Sequence, residues 1–247
     1  MKVLGVIPAR YGSTRLPGKP LADIQGKTLI RRVYERASLS KALHRLLVAT
    51  DDARIMEEVK SFGGNCVLTS PDHPNGTCRS AEVAQNEGAD IIINIQGDEP
   101  LLDPLMIDET TELLRTGDAV SSTLCEPMED EKSISDPNVV KVVMDQLGYA
   151  LYFSRSSIPF PRVKGAATVY RHIGIYGYRR DFLFTYAALP ATPLSEAESL
   201  EQLRILEHGY KMKVGVTKGR CGPSVDTPED LKKVRELIVA EKGEKMP

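Results

Sequence analysis

Short apolar runs alternate with helix-length segments of mixed polarity through the first half of the chain. Buried strands are predicted at residues 3–7, 46–50, 66–69 and 91–95. Helices are predicted near residues 27–38, over 53–62 and 79–87, and after Asp103-Pro104, where an N-cap residue precedes a proline. Repeated strand–helix–strand units of this kind build a doubly wound, mostly parallel α/β sheet.

The pattern changes after about residue 120. Residues 139–155 and 170–178 are predicted as strands without a helix between them, which favours antiparallel pairing. We therefore expect one domain over 1–247, with a small mixed or antiparallel subdomain at about 121–180 that covers substrate or makes a dimer contact. A helix over 195–209 with a Ser195–Glu198 capping box, a strand over 211–217 and a last helix after Thr227-Pro228 follow, and 241–247 are expected to fray.

Composition narrows the class of protein. The 247 residues carry a net charge of −2, so no basic face points to nucleic acid. The four cysteines are widely spaced, without a C-x-x-C pair, which favours free thiols in a reducing compartment. Neither a signal-peptide pattern nor an apolar run of membrane-spanning length is present, so we expect a cytoplasmic protein without a membrane partner.

The loop after the first strand concentrates positive charge. Arg10, Arg15 and Lys19 lie in it together with Gly12 and Gly18. Since open α/β sheets bind ligands at the carboxyl ends of their strands, this loop suits a polyanion such as a triphosphate. The spacing fits neither the dinucleotide G-x-G-x-x-G motif nor a P-loop. A solvated basic turn is the alternative.

Two carboxylates are candidate magnesium ligands. Asp98 directly follows the most apolar strand and should face the same edge of the sheet as the basic loop, whereas Glu99 could be the solvated member of that pair. Asp226 lies in a turn before the last helix, where Asp226 or Thr227 could equally be only a helix cap.

Other polar residues have ordinary structural explanations on spacing alone. Glu198, Glu201 and Gln202 would share one helix face, which is usually a solvated face. His172 lies in a predicted strand, where a structural histidine is the default. Arg155 ends another strand, and could hold a carboxylate through its two-pronged guanidinium or make an ordinary ion pair.

Several motifs in order resemble those of one enzyme family. The segment I-P-A-R-Y-G-S-T-R-L-P-G-K-P-L resembles the CMP-sugar nucleotidyltransferases. N-I-Q-G-D-E-P, Y-A-L-Y-F-S-R-S, R-H-I-G-I-Y-G-Y-R, L-E-Q-L-R and V-D-T-P-E-D-L resemble the 3-deoxy-manno-octulosonate (Kdo) cytidylyltransferases in particular. The resemblance extends from about residue 3 to 238. It implies a nucleotide-diphospho-sugar transferase type of fold, a homodimer, and a reaction of CTP with Kdo that gives CMP-Kdo and pyrophosphate for lipopolysaccharide assembly.

The resemblance also implies roles for individual residues. It assigns the CTP phosphates to Arg10, Arg15 and Lys19, with Lys19, Arg10 and Asp98 catalytic, and the rest of the nucleotide site to Thr77 and Arg79. It assigns Mg²⁺ to Asp98 and Asp226, and the sugar acid to Gln96, Arg155, His172, Tyr178, Glu201 and Gln202. The chain departs from the family's Gly-Thr-Glu-Arg turn, expected near the cytosine, by placing Cys78 where glutamate is usual. An enzyme for an 8-amino analogue of Kdo and a catalytically silent nucleotide-binding module are the alternatives.

Overall fold

The computed structural model describes residues 1–163 and 165–244, with side chains described as far as residue 240. The strands are β1 (Val3–Ala9), β2 (Asp23–Ile24), β3 (Lys27–Thr28), β4 (Arg45–Thr50), β5 (Cys66–Leu68), β6 (Ile91–Asn94), β7 (Ser121–Met128), β8 (Lys141–Met144), β9 (Ala150–Ser154), β10 (Val169–Arg179) and β11 (Met212–Val216). The helices are α1 (Leu29–Ala37), α2 (Ala53–Ser61), α3 (Gly76–Gln85), α4 (Pro104–Glu112), α5 (Glu131–Ser135), α6 (Arg180–Ala188), α7 (Pro193–Glu198), α8 (Leu203–Glu207) and α9 (Pro228–Glu244). A short 3-10 helix spans Lys19–Leu21.

A mixed sheet forms the centre of the molecule. Among the described strands, nine belong to this sheet, and its main path has the order β11-β7-β10-β6-β1-β4-β5. The pairs β6–β1, β1–β4, β4–β5 and β11–β7 are parallel, and β10 runs antiparallel to both of its neighbours. The mostly parallel α/β fold expected from the sequence is confirmed.

The apolar runs are continuous because both faces of the sheet are covered. Alternate residues of β1 enter two different core clusters: Val3 and Ile7 face one, and Leu4 and Val6 face the other. Helices α1, α2, α4 and α9 pack on the first face. Helices α3, α6 and α8 pack on the second.

The order of the strands creates one crevice. From β1 the chain proceeds outward to β4 and β5 and then returns to β6 on the other side of β1. The carboxyl ends of β1 and β6 therefore flank a topological switch point, where doubly wound folds bind ligands. Both the basic loop after β1 and the Asp98 segment after β6 leave the sheet at this point.

The region after residue 120 is arranged differently from the prediction in detail. Strand β7 and helix α6 were not predicted, and the predicted strand at 139–155 is a hairpin of β8 and β9. This hairpin lies off the main path of the sheet, paired through β8 to β10, whereas β7 and β10 lie within it.

The predicted helix at 195–209 is wrong: two helices, α7 and α8, occupy this segment. The break is at Ser199, whose φ of 51° is left-handed and ends α7. The capping box is also shifted, because Thr192 is the N-cap and Ser195 its reciprocal partner. Glu198 instead accepts hydrogen bonds from Ser154 Oγ (2.6 Å) and the backbone N–H of Arg155 (2.9 Å).

At the chain's end, α9 includes 241–244, the first four residues that were expected to fray, and 245–247 lie outside the described residues. In the described part of the chain, the helices lack the combination of length and apolar character that crossing a bilayer requires.

Candidate active site

Three adjoining cavities follow the crevice at the carboxyl ends of β1 and β6. The first, of about 360 Å³, is lined by the basic loop, the start of α3, and the segments around Asp98 and Asp226. The second, of about 340 Å³, shares Gln96, Asp98 and Glu201 with it. The third, of about 440 Å³, shares Glu99 and Gln202 with the second. They form one continuous lining, which we call the cleft.

The basic loop is held in shape by Tyr11. The Tyr11 carbonyl accepts hydrogen bonds from the backbone N–H groups of Ser13 (2.9 Å) and Gly18 (3.2 Å). The Tyr11 ring lies against Gly18, which has a left-handed φ of 68° that glycine adopts readily. On this ring, the Arg54 guanidinium lies 3.3 Å from the centroid. The loop therefore presents Arg10, Arg15 and Lys19 to the first cavity, as predicted from the sequence.

Lys19 lies between the two candidate metal ligands. Its Nζ donates to Asp98 Oδ2 at 2.8 Å and to Asp226 Oδ1 at 3.0 Å. Burial opposes the charge of Lys19, but the two carboxylates outweigh it, and the pKa of Lys19 is raised. Arg15 Nη2 contacts the same Asp226 oxygen at 3.1 Å.

Asp226 does not cap the last helix, which was the alternative role considered for it. Thr227 caps α9: its Oγ1 accepts from the backbone N–H of Asp230 (3.2 Å), and Asp230 Oδ2 accepts from the backbone N–H of Thr227 (2.9 Å). The Asp226 carboxylate is free to face Lys19. A hydrogen bond from Val225 N to the Asp98 carbonyl (2.8 Å) fixes the two aspartate segments side by side.

Helix α3 begins three residues earlier than predicted, because Asn75 is its N-cap and accepts from the backbone N–H of Cys78 at 2.8 Å. Thr77 therefore lies in the first turn and lines the second cavity. Arg79 lines the first cavity, but its guanidinium is paired with Asp51 Oδ2 at 2.9 Å and also contacts Thr69 Oγ1. Cys78 is only 8% exposed and is absent from the described lining of the cleft.

The break between α7 and α8 directs Glu201 and Gln202 into the cleft. Glu201 lines the first and second cavities, and Gln202 lines the second and third. Glu201 Oε2 lies 3.5 Å from both Thr77 Oγ1 and the Tyr186 hydroxyl. Desolvation within the cleft raises the pKa of Glu201 against the opposing charge of Arg204 and these hydrogen bonds.

His172 reaches the cleft because β10 is longer than β6. Tyr176 pairs with Asn94, the last residue of β6, so the preceding residues of β10 continue past the end of that strand. His172 lines the third cavity, and its Nε2 lies 2.9 Å from Thr123 Oγ1. Burial lowers the pKa of His172 to about 3, so the imidazole is neutral at physiological pH.

Two of the predicted sugar-binding residues are not brought to the described lining of the cleft. Arg155 is turned away: its Nε donates to the Glu198 carbonyl (2.7 Å) and its Nη1 to the Pro137 carbonyl (2.9 Å). Its Nη2 lies 3.4 Å from the Ser199 carbonyl, so the guanidinium braces the helix break. Tyr178 is 2% exposed and belongs to the core, because it points into the cluster beneath α3 and α6.

Sequence reasoning missed other lining residues, among them Asn94, Glu99, Tyr176 and Ser224. Burial, together with the adjacent Asp98, raises the pKa of Glu99 to about 7 despite the opposing Arg171. The signal for Asn94 was present in the sequence, since it is a single polar residue inside the most apolar run.

The chemistry of the two aspartates suits a hard cation. Their oxygens already surround one positive charge, the Lys19 ammonium, and carboxylate oxygen is the protein donor that Mg²⁺ takes beside phosphate. The residues present therefore fit a magnesium ion held by Asp98 and Asp226. The cleft as a whole combines three cations and two carboxylates in the first cavity with polar side chains in the second and third cavities. This arrangement suits transfer of a nucleotidyl group.

Comparisons with known proteins show the family to which the chain belongs. The sequence pattern of the cytidylyltransferase family matches residues 4–214. The 3-deoxy-manno-octulosonate cytidylyltransferase of Solibacter usitatus is 52% identical over 97% of this chain and 95% of its own length. The 8-amino-3,8-dideoxy-manno-octulosonate cytidylyltransferase of Shewanella pealeana is 50% identical over 94% and 96%.

A solved structure of CMP:2-keto-3-deoxy-manno-octonic acid synthetase, complexed with CTP, is 45% identical to this chain. It superimposes with a TM-score of 0.94 over 98% of this chain and 100% of its own. The chain belongs to the cytidylyltransferase family and, within it, to the 3-deoxy-manno-octulosonate cytidylyltransferases.

Proposed function

We propose that this enzyme transfers the cytidylyl group of CTP to 3-deoxy-D-manno-octulosonate, forming CMP-Kdo and releasing pyrophosphate. The observation that carries the proposal is the contact of Lys19 Nζ with both Asp98 and Asp226 at the switch point, beside Arg10 and Arg15. A pure nucleotide binder has no need of two carboxylates beside its phosphate-binding cations. The similarity to a synthetase complexed with CTP supports the choice of nucleotide.

The phosphates of CTP bind in the first cavity. Arg10, Arg15 and Lys19 supply positive charge there, and the turn at the start of α3 takes the nucleoside, with Thr77 and Arg79. Lys19, whose Nζ is shared by Asp98 and Asp226 in the free protein, lines this cavity. Its ammonium stabilises the negative charge that grows on the α-phosphate and the leaving pyrophosphate.

Asp98 and Asp226 would hold the magnesium ion, which when bound supplies charge neutralisation and lowers the pKa of a nearby hydroxyl. The anomeric hydroxyl of the sugar attacks the α-phosphorus while pyrophosphate leaves roughly in line and the hydroxyl proton passes to solvent, so no covalent intermediate on the protein is needed. This chain's residues contribute chiefly by positioning the two substrates and by stabilising charge.

The sugar acid binds in the second and third cavities. Gln96, Glu201 and Gln202 supply polar groups on one side, and the neutral His172 supplies a ring nitrogen on the other. Arg155 contributes indirectly, because its hydrogen bonds to the carbonyls around Ser199 fix the break that directs Glu201 and Gln202 inward. Tyr178 supports the same region from the core.

The test is pyrophosphate release with Mg²⁺ from CTP, ATP, GTP or UTP, each with Kdo, the 8-amino analogue of Kdo, or sialic acid. We expect release only with CTP and Kdo together, and none without metal. Release with the 8-amino analogue instead of Kdo would move the assignment to the activity for which the Shewanella relative is named. Nucleotide binding without release from any pair would refute transferase activity.

The same proposal includes a homodimer that acts in the cytoplasm and supplies lipopolysaccharide assembly. Exposed apolar side chains support a self-contact through the 121–180 region: Leu147 is 71% exposed, Leu151 61% and Phe160 84%. Sedimentation should give a dimer, and Leu151→Glu with Phe160→Glu a monomer. The cysteines Cys66, Cys78, Cys125 and Cys221 are free thiols, which supports a reducing compartment.

A further inference from the structure

Asn94 ends β6 inside the cleft with one side-chain atom lacking a partner. The residue is 2% exposed and lines the second cavity. Its Nδ2 donates to Thr77 Oγ1 at 3.2 Å, but its Oδ1 has no hydrogen-bond partner among the described residues. A buried carbonyl left in this state is costly unless something else satisfies it, and because Asn94 also lines a cavity, the free oxygen indicates a ligand there.

Gln202 presents the complementary group to the same cavity. It is 4% exposed, and its Oε1 accepts from the Tyr176 hydroxyl at 3.3 Å. Its Nε2 has no partner within the described part of the chain. The second cavity is therefore lined by two residues, Asn94 and Gln202, that each carry a buried polar atom, one an acceptor and one a donor, without a partner among the described residues.

The orientation of the Asn94 amide follows from its neighbour. The Thr77 hydroxyl has one hydrogen, and it is directed to Glu201 Oε2 at 3.5 Å. Thr77 Oγ1 accepts from Asn94 Nδ2, so the Asn94 NH₂ group faces Thr77 and its carbonyl oxygen is left without a partner among the described residues. The same contact links Asn94 to Glu201 through Thr77.

We propose that Asn94 is a specificity-determining residue for the sugar acid. Its Oδ1 accepts a hydrogen bond from a hydroxyl of the bound sugar, while Gln202 Nε2 donates to an oxygen of the same molecule. The inference rests on the proposed function, and it adds to the sugar site a residue from the sheet itself. A sugar lacking that hydroxyl leaves the carbonyl unsatisfied and is rejected.

The test compares Asn94→Leu with Ser121→Ala as a matched control. Ser121 is another fully buried side chain with an unpartnered oxygen, but it lies on β7 outside the described lining of the cleft. We expect Asn94→Leu to lower kcat/KM for Kdo about tenfold or more, with the KM for CTP within about twofold of the wild type. Ser121→Ala should leave both constants unchanged.

Thr77→Val separates binding from positioning. If Asn94 acts only by holding Thr77, then Thr77→Val reproduces the whole loss and Asn94→Leu adds nothing to it, which would overturn the proposal. Equal effects of Asn94→Leu on both substrates would also overturn it. Asn94→Ser, which adds no volume to the packing, is the second variant if the leucine variant unfolds. Unfolding of both assigns Asn94 to the core alone.

Failure of the proposed function is distinguishable from failure of the Asn94 assignment. If the proposed function is wrong, the wild type and Ser121→Ala also release no pyrophosphate with Kdo. In that case the same variants are compared with whichever sugar acid supports release. An unchanged KM for that sugar in folded Asn94→Leu overturns the Asn94 assignment by itself.

Discussion

Replacing Lys19 with methionine should weaken catalysis and strengthen metal binding at the same time. Methionine keeps most of the side-chain volume but removes the ammonium that Asp98 and Asp226 share. The rate should fall about 100- to 1000-fold, the usual cost of removing one group that stabilises developing charge. Metal binding should respond in the opposite direction, because Lys19 occupies the carboxylates to which the metal would bind.

The size of the second effect follows from the contacts. Both carboxylate oxygens contact one nitrogen, so they lie within about 6 Å of each other, where two unit charges at an effective dielectric constant of about 20 repel by about 3 kcal/mol. The Asp98 and Asp226 side chains are 25% and 34% exposed, and solvent reduces this to about 1–2 kcal/mol. Relief of that repulsion by Mg²⁺ corresponds to binding about 5- to 30-fold tighter.

Calorimetric titration of nucleotide-free protein with Mg²⁺ measures the affinity, and pyrophosphate release measures the rate. Lys27→Met is the matched control, since Lys27 Nζ also pairs with a carboxylate, Glu35 Oε2 at 2.6 Å, but outside the described lining of the cleft. Unchanged Mg²⁺ affinity in folded Lys19→Met would show that Lys19 and the metal do not share the aspartates. Near-normal turnover would refute its catalytic role.

Three further predictions concern single residues. The pKa of Glu99 is raised to about 7 in the folded protein, so folding favours its protonated form. The stability that this group contributes is therefore fully present below pH 4.5 and is lost as the pH rises through 7. In melts without metal, Glu99→Gln should raise the Tm at pH 8 but not at pH 4. A Tm difference independent of pH would contradict this. Cys78→Ala should leave the KM for CTP within about twofold, since the thiol lies away from the cleft, and a tenfold change in steady-state assays would return Cys78 to the base site. Arg155→Ala should cost about 1–3 kcal/mol of stability by denaturant titration, because it removes the hydrogen bonds to the Glu198 and Pro137 carbonyls. It should also raise the KM for Kdo more than the KM for CTP. Equal effects on both KM values would count against the role of Arg155 in bracing the helix break.

The sequence alone was sufficient to predict the position of those site residues that directly follow a buried strand. A buried parallel strand followed by Arg10, Arg15 and Lys19, and another followed by Asp98, must bring these residues to one edge of the sheet if the two strands are neighbours. Parallel strands of one sheet end at the same edge in any strand order, and the structure shows that β1 and β6 are also neighbours. Their convergence is a property of the fold class.

The missed elements have physical causes. Strand β7 begins with Ser121, Ser122 and Thr123, which are fully buried although polar, so the apolar pattern that marks a buried strand is absent. Their hydroxyls are partly satisfied locally: Ser122 Oγ donates to the Thr110 carbonyl at 2.8 Å. Close packing explains the small residues, since a Cβ on Gly177 would lie 2.5 Å from Ser122 Oγ.

The helix break at Ser199 was hidden for another reason. Glu198, Glu201 and Gln202 satisfy helical spacing, and a serine in the left-handed region gives no signal comparable to glycine. Tertiary contacts decide the conformation instead, because Arg155, directly after β9, binds the carbonyls of Glu198 and Ser199. Thr192-Pro193 was the available signal for an earlier helix start, being an N-cap followed by a proline at the first helical position.

The ion pairs of the free enzyme imply that nucleotide and metal bind cooperatively. Asp226 is paired with both Arg15 and Lys19, so Mg²⁺ binding alone at the proposed site would have to displace two cations from the carboxylates. A triphosphate offers those cations other anions and so frees Asp98 and Asp226. Binding free energies are reciprocal, and each ligand must therefore tighten the other by the same factor, beyond their association in solution. Titrations of Mg²⁺ with and without a non-hydrolysable CTP analogue measure this factor. Lys19→Met should reduce the factor, because the variant has already lost the competition between Lys19 and the metal. An unchanged factor in this variant would place the coupling elsewhere.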